Sequence, residues 1–143
     1  MSAITLAQAQ TIITAALTHA REKKMQPLAV IVLDARGVPK AFAAEDGTSL
    51  RRYEIAHGKA HGALAMGIGS RTLGKRAQER PHFIAAVTHV VGGALIPVPG
   101  GVLIRAADRA IIGAVGISGD SSDNDEAAAL AGIATAGLSA DPG

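Results

Sequence analysis

The chain has 143 residues, enough for one domain with its own core and too few for two domains of ordinary size. Its 14 lysines and arginines stand against 12 aspartates and glutamates, and Phe42, Tyr53 and Phe83 are its only Phe, Tyr or Trp residues. Nucleic-acid binding is therefore not expected, because it needs clustered positive charge or stacking aromatics. The absence of cysteine excludes disulfides, thiolate metal sites and a cysteine nucleophile.

Small residues dominate the composition, with 30 alanines and 17 glycines. A core built from such residues gains little per side chain, at roughly 0.8 kcal/mol per buried methylene. Self-association would supply the missing burial, so the composition predicts a homo-oligomer. No membrane span is expected, because glycines and prolines interrupt the uncharged stretch 83–104. The N-terminus lacks the features of a signal peptide, which predicts a cytoplasmic protein unless such a peptide has been removed.

The N-terminal part predicts a helix followed by a hairpin. Thr5 and Gln8 have the spacing of a capping box, and apolar residues then recur with a helical period. The apolar run 28–34 predicts a strand buried on both faces, and 38–44 predicts its partner. Pro39 places this second strand at an edge of the sheet.

The remainder predicts a helix over 51–66, a looser helix over 70–80, three strands and a last helix. The strands are expected at 94–98, 102–105 and 110–118, with a turn at 99–101 between the first two and an apolar piece at 83–91 before them. Gly113 and Gly116 in the last strand predict close approach by another backbone. The last helix is expected from Ser122 or Asp123, with Asp123 and Glu126 at capping-box spacing, to Gly137. This order requires no parallel crossover and predicts a single α+β domain over residues 1–143.

Several blocks of this sequence resemble the GlcG/HbpS-like family, which is also called haem-degrading. The blocks are Val32-Leu-Asp34, Lys59-Ala60, Pro97-Val-Pro-Gly-Gly-Val-Leu-Ile-Arg105, Ile112-Gly-Ala-Val-Gly-Ile-Ser-Gly119 and Asp125-Glu126. The resemblance covers about residues 5–137. It implies a compact, profilin-like α/β fold, in which helices flank a five-stranded antiparallel sheet, together with self-association. Some members of the family bind haem, so haem is a possible cofactor.

His57 and His61 are the most informative candidate residues. They are four residues apart and share one face of the predicted middle helix. This spacing suits acid–base catalysis, a divalent metal with a third ligand from Glu54, His82 or His89, or axial ligation of haem iron. The alternative is a histidine pair on a solvated face or a subunit contact.

Lys59 and Arg105 are candidates to bind a ligand carboxylate, with Arg52 at the mouth of the same pocket. Each has a structural alternative. Lys59 would be a helix lysine with a solvated head, Arg105 a charge on an edge strand, and Arg52 part of a solvated helix start. The turn Pro99-Gly100-Gly101 either reverses the chain or also holds an anion with its N–H groups. Lys59 lies about 200° around the helix from His57. We therefore expect the two histidines to face the ligand and Lys59 to act through stability.

The leading functional hypothesis is an oligomeric small-molecule-binding protein whose ligand is planar or bears a carboxylate. Its pocket would lie between the middle helix and the Pro-Gly-Gly turn. Two alternatives stay open. One is a cofactor-free lyase, isomerase or hydrolase that uses histidine as acid and base. The other is a haem-binding or haem-degrading protein with His57 or His61 as the axial ligand.

Overall fold

Five strands pair into one antiparallel sheet in the computed structural model, which describes residues 3–143. In chain order the strands are β1 (Ala29–Asp34), β2 (Pro39–Ala44), β3 (Gly101–Arg105), β4 (Ile111–Ser118) and β5 (Ser139–Asp141). The helices are α1 (Leu6–Glu22), α2 (Arg52–Met66), α3 (Ser70–Glu79), α4 (Pro81–Val90) and α5 (Ser122–Thr135). The strand order is β2-β1-β4-β3-β5, which confirms the predicted five-stranded α+β domain. Within residues 3–143, no helix has the length and apolarity needed to cross a membrane.

Helices cover both faces of the sheet because its central strands are apolar on both sides. On β1, Val30 and Val32 pack toward α1 and α5, whereas Ile31 and Leu33 pack toward α2. All of these side chains are fully buried, as the continuous apolar run predicts. The sheet is therefore the middle layer of a three-layer sandwich.

Helix α2 lies unusually close to the sheet because two facing glycines leave room for its backbone. Gly101 on β3 and Gly116 on β4 are paired in register. A Cβ at Gly116 would lie 2.0 Å from the carbonyl oxygen of Ala56 on α2. A Cβ at Gly113 would lie 2.3 Å from the carbonyl oxygen of Leu33 on β1. The close approach predicted at Gly113 and Gly116 is confirmed.

The N-terminal predictions also hold. The Thr5 hydroxyl accepts a hydrogen bond from the Gln8 N–H, and the Gln8 side chain accepts one from the Thr5 N–H. β2 is an edge strand, as Pro39 predicts. A register shift in its pairing with β1 leaves Lys40 without a Cα partner.

The region before β3 differs from the prediction. Residues 94–98 form no strand, because their polar backbone turns toward α2: the Ile96 N–H donates to the Gly58 carbonyl at 3.1 Å. Residues 81–90 form helix α4, which Pro81 starts at its first position. The turn at 99–101 therefore joins no pair of strands, and the fifth strand is β5, at the C-terminal end.

Helix α5 begins at Ser122, as predicted, but its cap differs from the prediction. Its N-cap is Ser121, whose hydroxyl accepts from the Asn124 N–H. Asp123 and Glu126 form no capping box, because both carboxylates bind the Arg71 guanidinium of α3. The last helix ends at Thr135, close to the predicted Gly137.

Candidate functional site

A row of rings lies along the outer face of α2 and the neighbouring edge strand. Tyr53, His57 and His61 follow one another at four-residue spacing on α2, and Phe42 of β2 contacts Tyr53 edge-on at 5.1 Å between ring centroids. The Tyr53 and His57 centroids are 6.0 Å apart with 19° between ring planes. Those of His57 and His61 are 5.4 Å apart at 22°. We call these four residues the ring row.

The segment before β3 fixes the end of the ring row. A Cβ at Gly58 would lie 2.5 Å from Cγ1 of Ile96, and one at Gly62 would lie 3.0 Å from Cα of Leu95. These two glycines let the segment pack directly on α2. Its Ala94 carbonyl lies 2.9 Å from Nδ1 of His61. A carbonyl only accepts hydrogen bonds, so Nδ1 of His61 carries a hydrogen and the ring orientation is held.

His57 is electrically neutral under ordinary conditions. Partial burial lowers the pKa of His57 below its usual value, and the positive charge of a protonated His61 lowers it further. A neutral imidazole keeps one nitrogen lone pair, which can accept a proton or bind a metal ion such as haem iron. His57 can therefore serve as a base or as an iron ligand near neutral pH.

An arginine lies near the His61 end of the ring row, and another precedes α2. Arg51 precedes the first turn of α2 and pairs with Glu54, and Arg36 in the β1–β2 turn lies near His61 and pairs with Asp34. Their side chains are 74% and 80% exposed. A guanidinium has five N–H donors, so both side chains keep donors for a ligand. The eight helical steps from Tyr53 to His61 span about 12 Å along α2.

Lys59 lies on the opposite face of α2, in the core. Its side chain is 2% exposed, and its Nζ donates to Oδ2 of Asp125 at 3.0 Å and to the Ile117 carbonyl at 2.9 Å. The other oxygen of Asp125 accepts from the Asp120 N–H at 2.9 Å. Burial lowers the pKa of Lys59 and raises the pKa of Asp125, while the attraction within the pair opposes both shifts. The structure separates Lys59 from His57 and His61, as their spacing predicts.

The other predicted ligand-binding residues lie away from the ring row. Nε of Arg105 binds Asp141 at 2.9 Å, at the far end of β3, about 13 Å along the strand from Gly101. Arg52 donates to the hydroxyls of Ser118 and Ser49. The structure does not bring Arg105 and Lys59 to one ligand.

The Pro99-Gly100-Gly101 turn packs over Lys59. A Cβ at Gly100 would lie 2.9 Å from Nζ of Lys59. The Gly101 N–H donates to the Ser70 hydroxyl at 2.7 Å, and the Gly100 carbonyl accepts from the Ile117 N–H. These backbone groups are engaged inside the protein, and their hydrogen bonds join the turn to α3 and to β4.

Within residues 3–143, the metal hypothesis finds no third ligand. Across residues 3–143, no three histidines, aspartates or glutamates lie close enough together to hold a metal ion. Glu54 binds Arg51, and His82 and His89 are exposed on α4. His57 and His61 would have to share a metal with a ligand from outside the chain.

Sequence reasoning found the two histidines but not the ring row to which they belong. Tyr53 continues their four-residue spacing toward the start of α2, and this pattern could have revealed it. Phe42 could not have been found in this way, because it reaches the row from a strand on a separate part of the chain.

The fold and the ring row define a single-domain α+β protein whose candidate ligand surface is a half-exposed line of rings. The family model of haem degrading protein HbpS-like matches residues 4–134. The chain therefore belongs to the HbpS-like family, as its sequence blocks predict.

Solved structures with this fold include a crystal structure of HbpS, at 27% identity and a TM-score of 0.79, with 94% of this chain and 90% of that chain covered. A double mutant of Streptomyces reticuli HbpS is similar at 26% identity and a TM-score of 0.79, with coverages of 94% and 87%. A complex of PduOC with haem shares the fold at 24% identity and a TM-score of 0.86, with 96% and 98% covered. A search of curated proteins gave no match.

Proposed function

We propose that this protein is a homo-oligomer that binds a planar, carboxylate-bearing small molecule on the ring row. The observation that carries the proposal is the near-parallel arrangement of Tyr53, His57 and His61, with 19° and 22° between successive planes. Each contact between a flat ligand and one of these rings would add about 0.5–1.5 kcal/mol beyond its buried area. The chain has three Phe, Tyr or Trp residues in all, and two of them stand in this row.

The exposed arginines favour an anionic ligand. Arg36 presents a largely exposed guanidinium group near His61, and the exposed guanidinium of Arg51 lies before the first turn of α2. A planar guanidinium binds a carboxylate with two parallel hydrogen bonds. A flat molecule with carboxylates at its periphery therefore matches both the rings and the charges.

Haem is the first ligand to test. It is planar and carries two carboxylates, and the family is named for haem degradation. A similar fold has been solved with haem bound, in PduOC. The neutral His57 ring offers a nitrogen lone pair to the iron, which is the ligand type that many haem proteins use.

The experiment is a haem titration followed by the Soret band, repeated with protoporphyrin IX, which lacks iron. We expect saturable haem binding at micromolar or lower concentration. His57→Ala/His61→Ala should weaken it at least tenfold, because the imidazole ligand to the iron is lost. Tyr53→Ala should weaken haem and protoporphyrin IX alike, since it removes only stacking.

The matched control is His82→Ala/His89→Ala, which removes two exposed histidines of α4. Exposed histidines can bind free haem without forming a specific site. His82 and His89 lie outside the ring row, so this variant should keep the saturable haem binding of the parent. Equal haem binding by the parent and by His57→Ala/His61→Ala would contradict the proposal. So would binding weaker than about 10 μM in the parent.

Self-association is the second part of the proposal. Leu50 and Val90 are 87% and 82% exposed, and Phe83 is 38% exposed. Phe83, Ala86 and Val90 recur at helical spacing on α4 and form an exposed apolar stripe. We expect a dimer or larger assembly whose contacts bury more than about 1,000 Å² in total. A single-chain species alone in sedimentation at micromolar concentration would contradict this part.

The enzyme alternative rests on the same histidines. His57 has a lowered pKa, and a neutral imidazole can act as a general base. If the ligand is turned over, His57→Ala should lower the rate at least tenfold. Unchanged turnover in both His57→Ala and His61→Ala would contradict the enzyme alternative, and binding would be the remaining function.

A further inference from the structure

The turn between β1 and β2 stands beside the last ring of the ring row. The Asp34 carboxylate accepts from the N–H groups of Arg36 at 2.8 Å and Val38 at 3.1 Å, which holds the turn in place. Gly37 in this turn has a φ of 83°, a conformation that favours glycine. A Cβ at Gly37 would lie 3.4 Å from Cδ2 and 3.9 Å from Nε2 of His61. The Nε2 edge of the ring therefore faces a position without a side chain.

A cavity of about 140 Å³ occupies this place. Its lining residues belong to the β1–β2 turn and to one face of α2: Ala35, Arg36, Gly37, His61, Leu64 and Ala65. The space is open to solvent on one side and admits several water molecules. An organic molecule of about six heavy atoms fits, whereas haem is far too large.

The hydrogen bond to Ala94 decides what His61 offers to this cavity. Nδ1 of His61 carries a hydrogen because its partner at 2.9 Å is a carbonyl oxygen. In the neutral ring Nε2 then has a lone pair and no hydrogen, so it accepts a hydrogen bond. A molecule in the cavity is bound best if it presents a hydroxyl donor at this point.

Arg36 supplies the complementary charge. Its guanidinium donates to Oδ2 of Asp34 at 3.3 Å, a single long contact that leaves other N–H donors unused. Its side chain is 80% exposed and has the freedom to turn toward a bound anion. An acceptor on one side and a cation on the other together select a carboxylate that carries a hydroxyl group nearby.

We propose that the cavity beside His61 is a binding site for a small hydroxycarboxylic acid, with the hydroxyl donating to Nε2 of His61 and the carboxylate paired with Arg36. This site occupies a different space from the proposed surface for a planar ligand, although both use Arg36 and His61. The two sites meet at His61, whose ring faces His57 on one side and the cavity on the other.

The first experiment tests the tautomer by imidazole ¹⁵N NMR of the full chain. We expect the His61 signals of a ring protonated at Nδ1 and unprotonated at Nε2. Addition of lactate should shift the Nε2 resonance. A resting ring with its hydrogen on Nε2 would overturn the proposal, because Nε2 would then not accept.

The second experiment compares lactate with propionate by calorimetry, since the two differ only by the hydroxyl group. Lactate should bind at least fivefold more tightly. His61→Ala should remove this preference, and Arg36→Gln should weaken lactate binding at least fivefold. Equal binding of the two acids, or no binding of lactate at 10 mM, would overturn the proposal.

Two further variants separate this site from folding and from the ring row. Ala65→Leu, at an exposed lining position, should fill the cavity and abolish lactate binding while its thermal unfolding stays that of the parent. His82→Ala on α4 should bind lactate as the parent does. Full lactate binding by Ala65→Leu would overturn the proposal. If the parent protein binds lactate but not haem, that result contradicts only the proposed function.

Discussion

Replacing Lys59 by methionine tests whether the core of α2 depends on its buried ion pair. The two side chains are 2% and 1% exposed, and Nζ of Lys59 lies 3.0 Å from Oδ2 of Asp125. Their Coulomb attraction is about 5 kcal/mol at an effective dielectric constant near 20, and desolvation of both groups offsets much of it. Lys59→Met removes the attraction but leaves the Asp125 carboxylate buried. Breaking such a pair costs about 3–5 kcal/mol, so we expect that loss in the free energy of unfolding at pH 7.

The assay is urea and thermal unfolding of the parent, Lys59→Met and Lys59→Met/Asp125→Leu. A loss of about 4 kcal/mol corresponds to a decrease in Tm of about 10–15 °C for a chain of this length. The double variant should recover much of that loss, because no unpaired charge is left in the core. The exposed Lys40 provides the control, and Lys40→Met should change stability by less than about 0.5 kcal/mol.

The pH dependence gives a sharper test of the same reasoning. Burial already raises the pKa of Asp125, and loss of the ammonium group of Lys59 should raise it further. In Lys59→Met the carboxyl is neutral at low pH, so the destabilisation should shrink on acidification and grow as pH rises through that pKa. A destabilisation below 1 kcal/mol at pH 7, or one that does not change with pH, would refute this account.

Three other changes have defined outcomes. Gly116→Ala should destabilise the protein by at least about 2 kcal/mol in urea unfolding, because its Cβ would lie 2.0 Å from the Ala56 carbonyl oxygen. A loss of stability within experimental error would contradict this and show that α2 can move outward. Burial holds the pKa of His57 below its unfolded value near 6.5, so stability should fall as pH drops from that value through the folded pKa. His57→Gln should flatten this fall between pH 7.5 and 5, whereas His89→Gln should not. Thr5→Ala should cost about 1 kcal/mol by loss of the capping box, measured by thermal unfolding, and an unchanged Tm would contradict it.

Local patterns were sufficient for the elements that local chemistry determines. Thr5 marked the start of α1, and the run 28–34 marked a strand buried on both faces, because capping and continuous apolarity act over a few residues. The run 94–98 has the same apolar character but forms no strand. Its place is set by Gly58 and Gly62 of α2, which open a surface that the segment fills. β5 is only three residues long and pairs with β3, so its own sequence carried no pattern to detect.

The candidate site was predictable only as far as one helix extends. The four-residue spacing of His57 and His61 placed them on one face, and the offset of Lys59 placed it on the other. The partner of Lys59, Asp125, lies 66 positions away in the chain, and Phe42 joins the ring row from another element. Such contacts arise from tertiary packing, which periodicity within α2 does not encode.

The glycines of α2 also have a consequence for how the protein folds. Gly58 and Gly62 stand in the interior of the helix, and each lowers its intrinsic helicity by about 0.5–1 kcal/mol relative to alanine. As an isolated peptide, residues 50–67 should therefore be largely unstructured, whereas α1 has a complete capping box of its own. We expect α2 to become helical only when it docks between the sheet and the segment before β3. The two histidines would then reach their native positions only when this docking takes place.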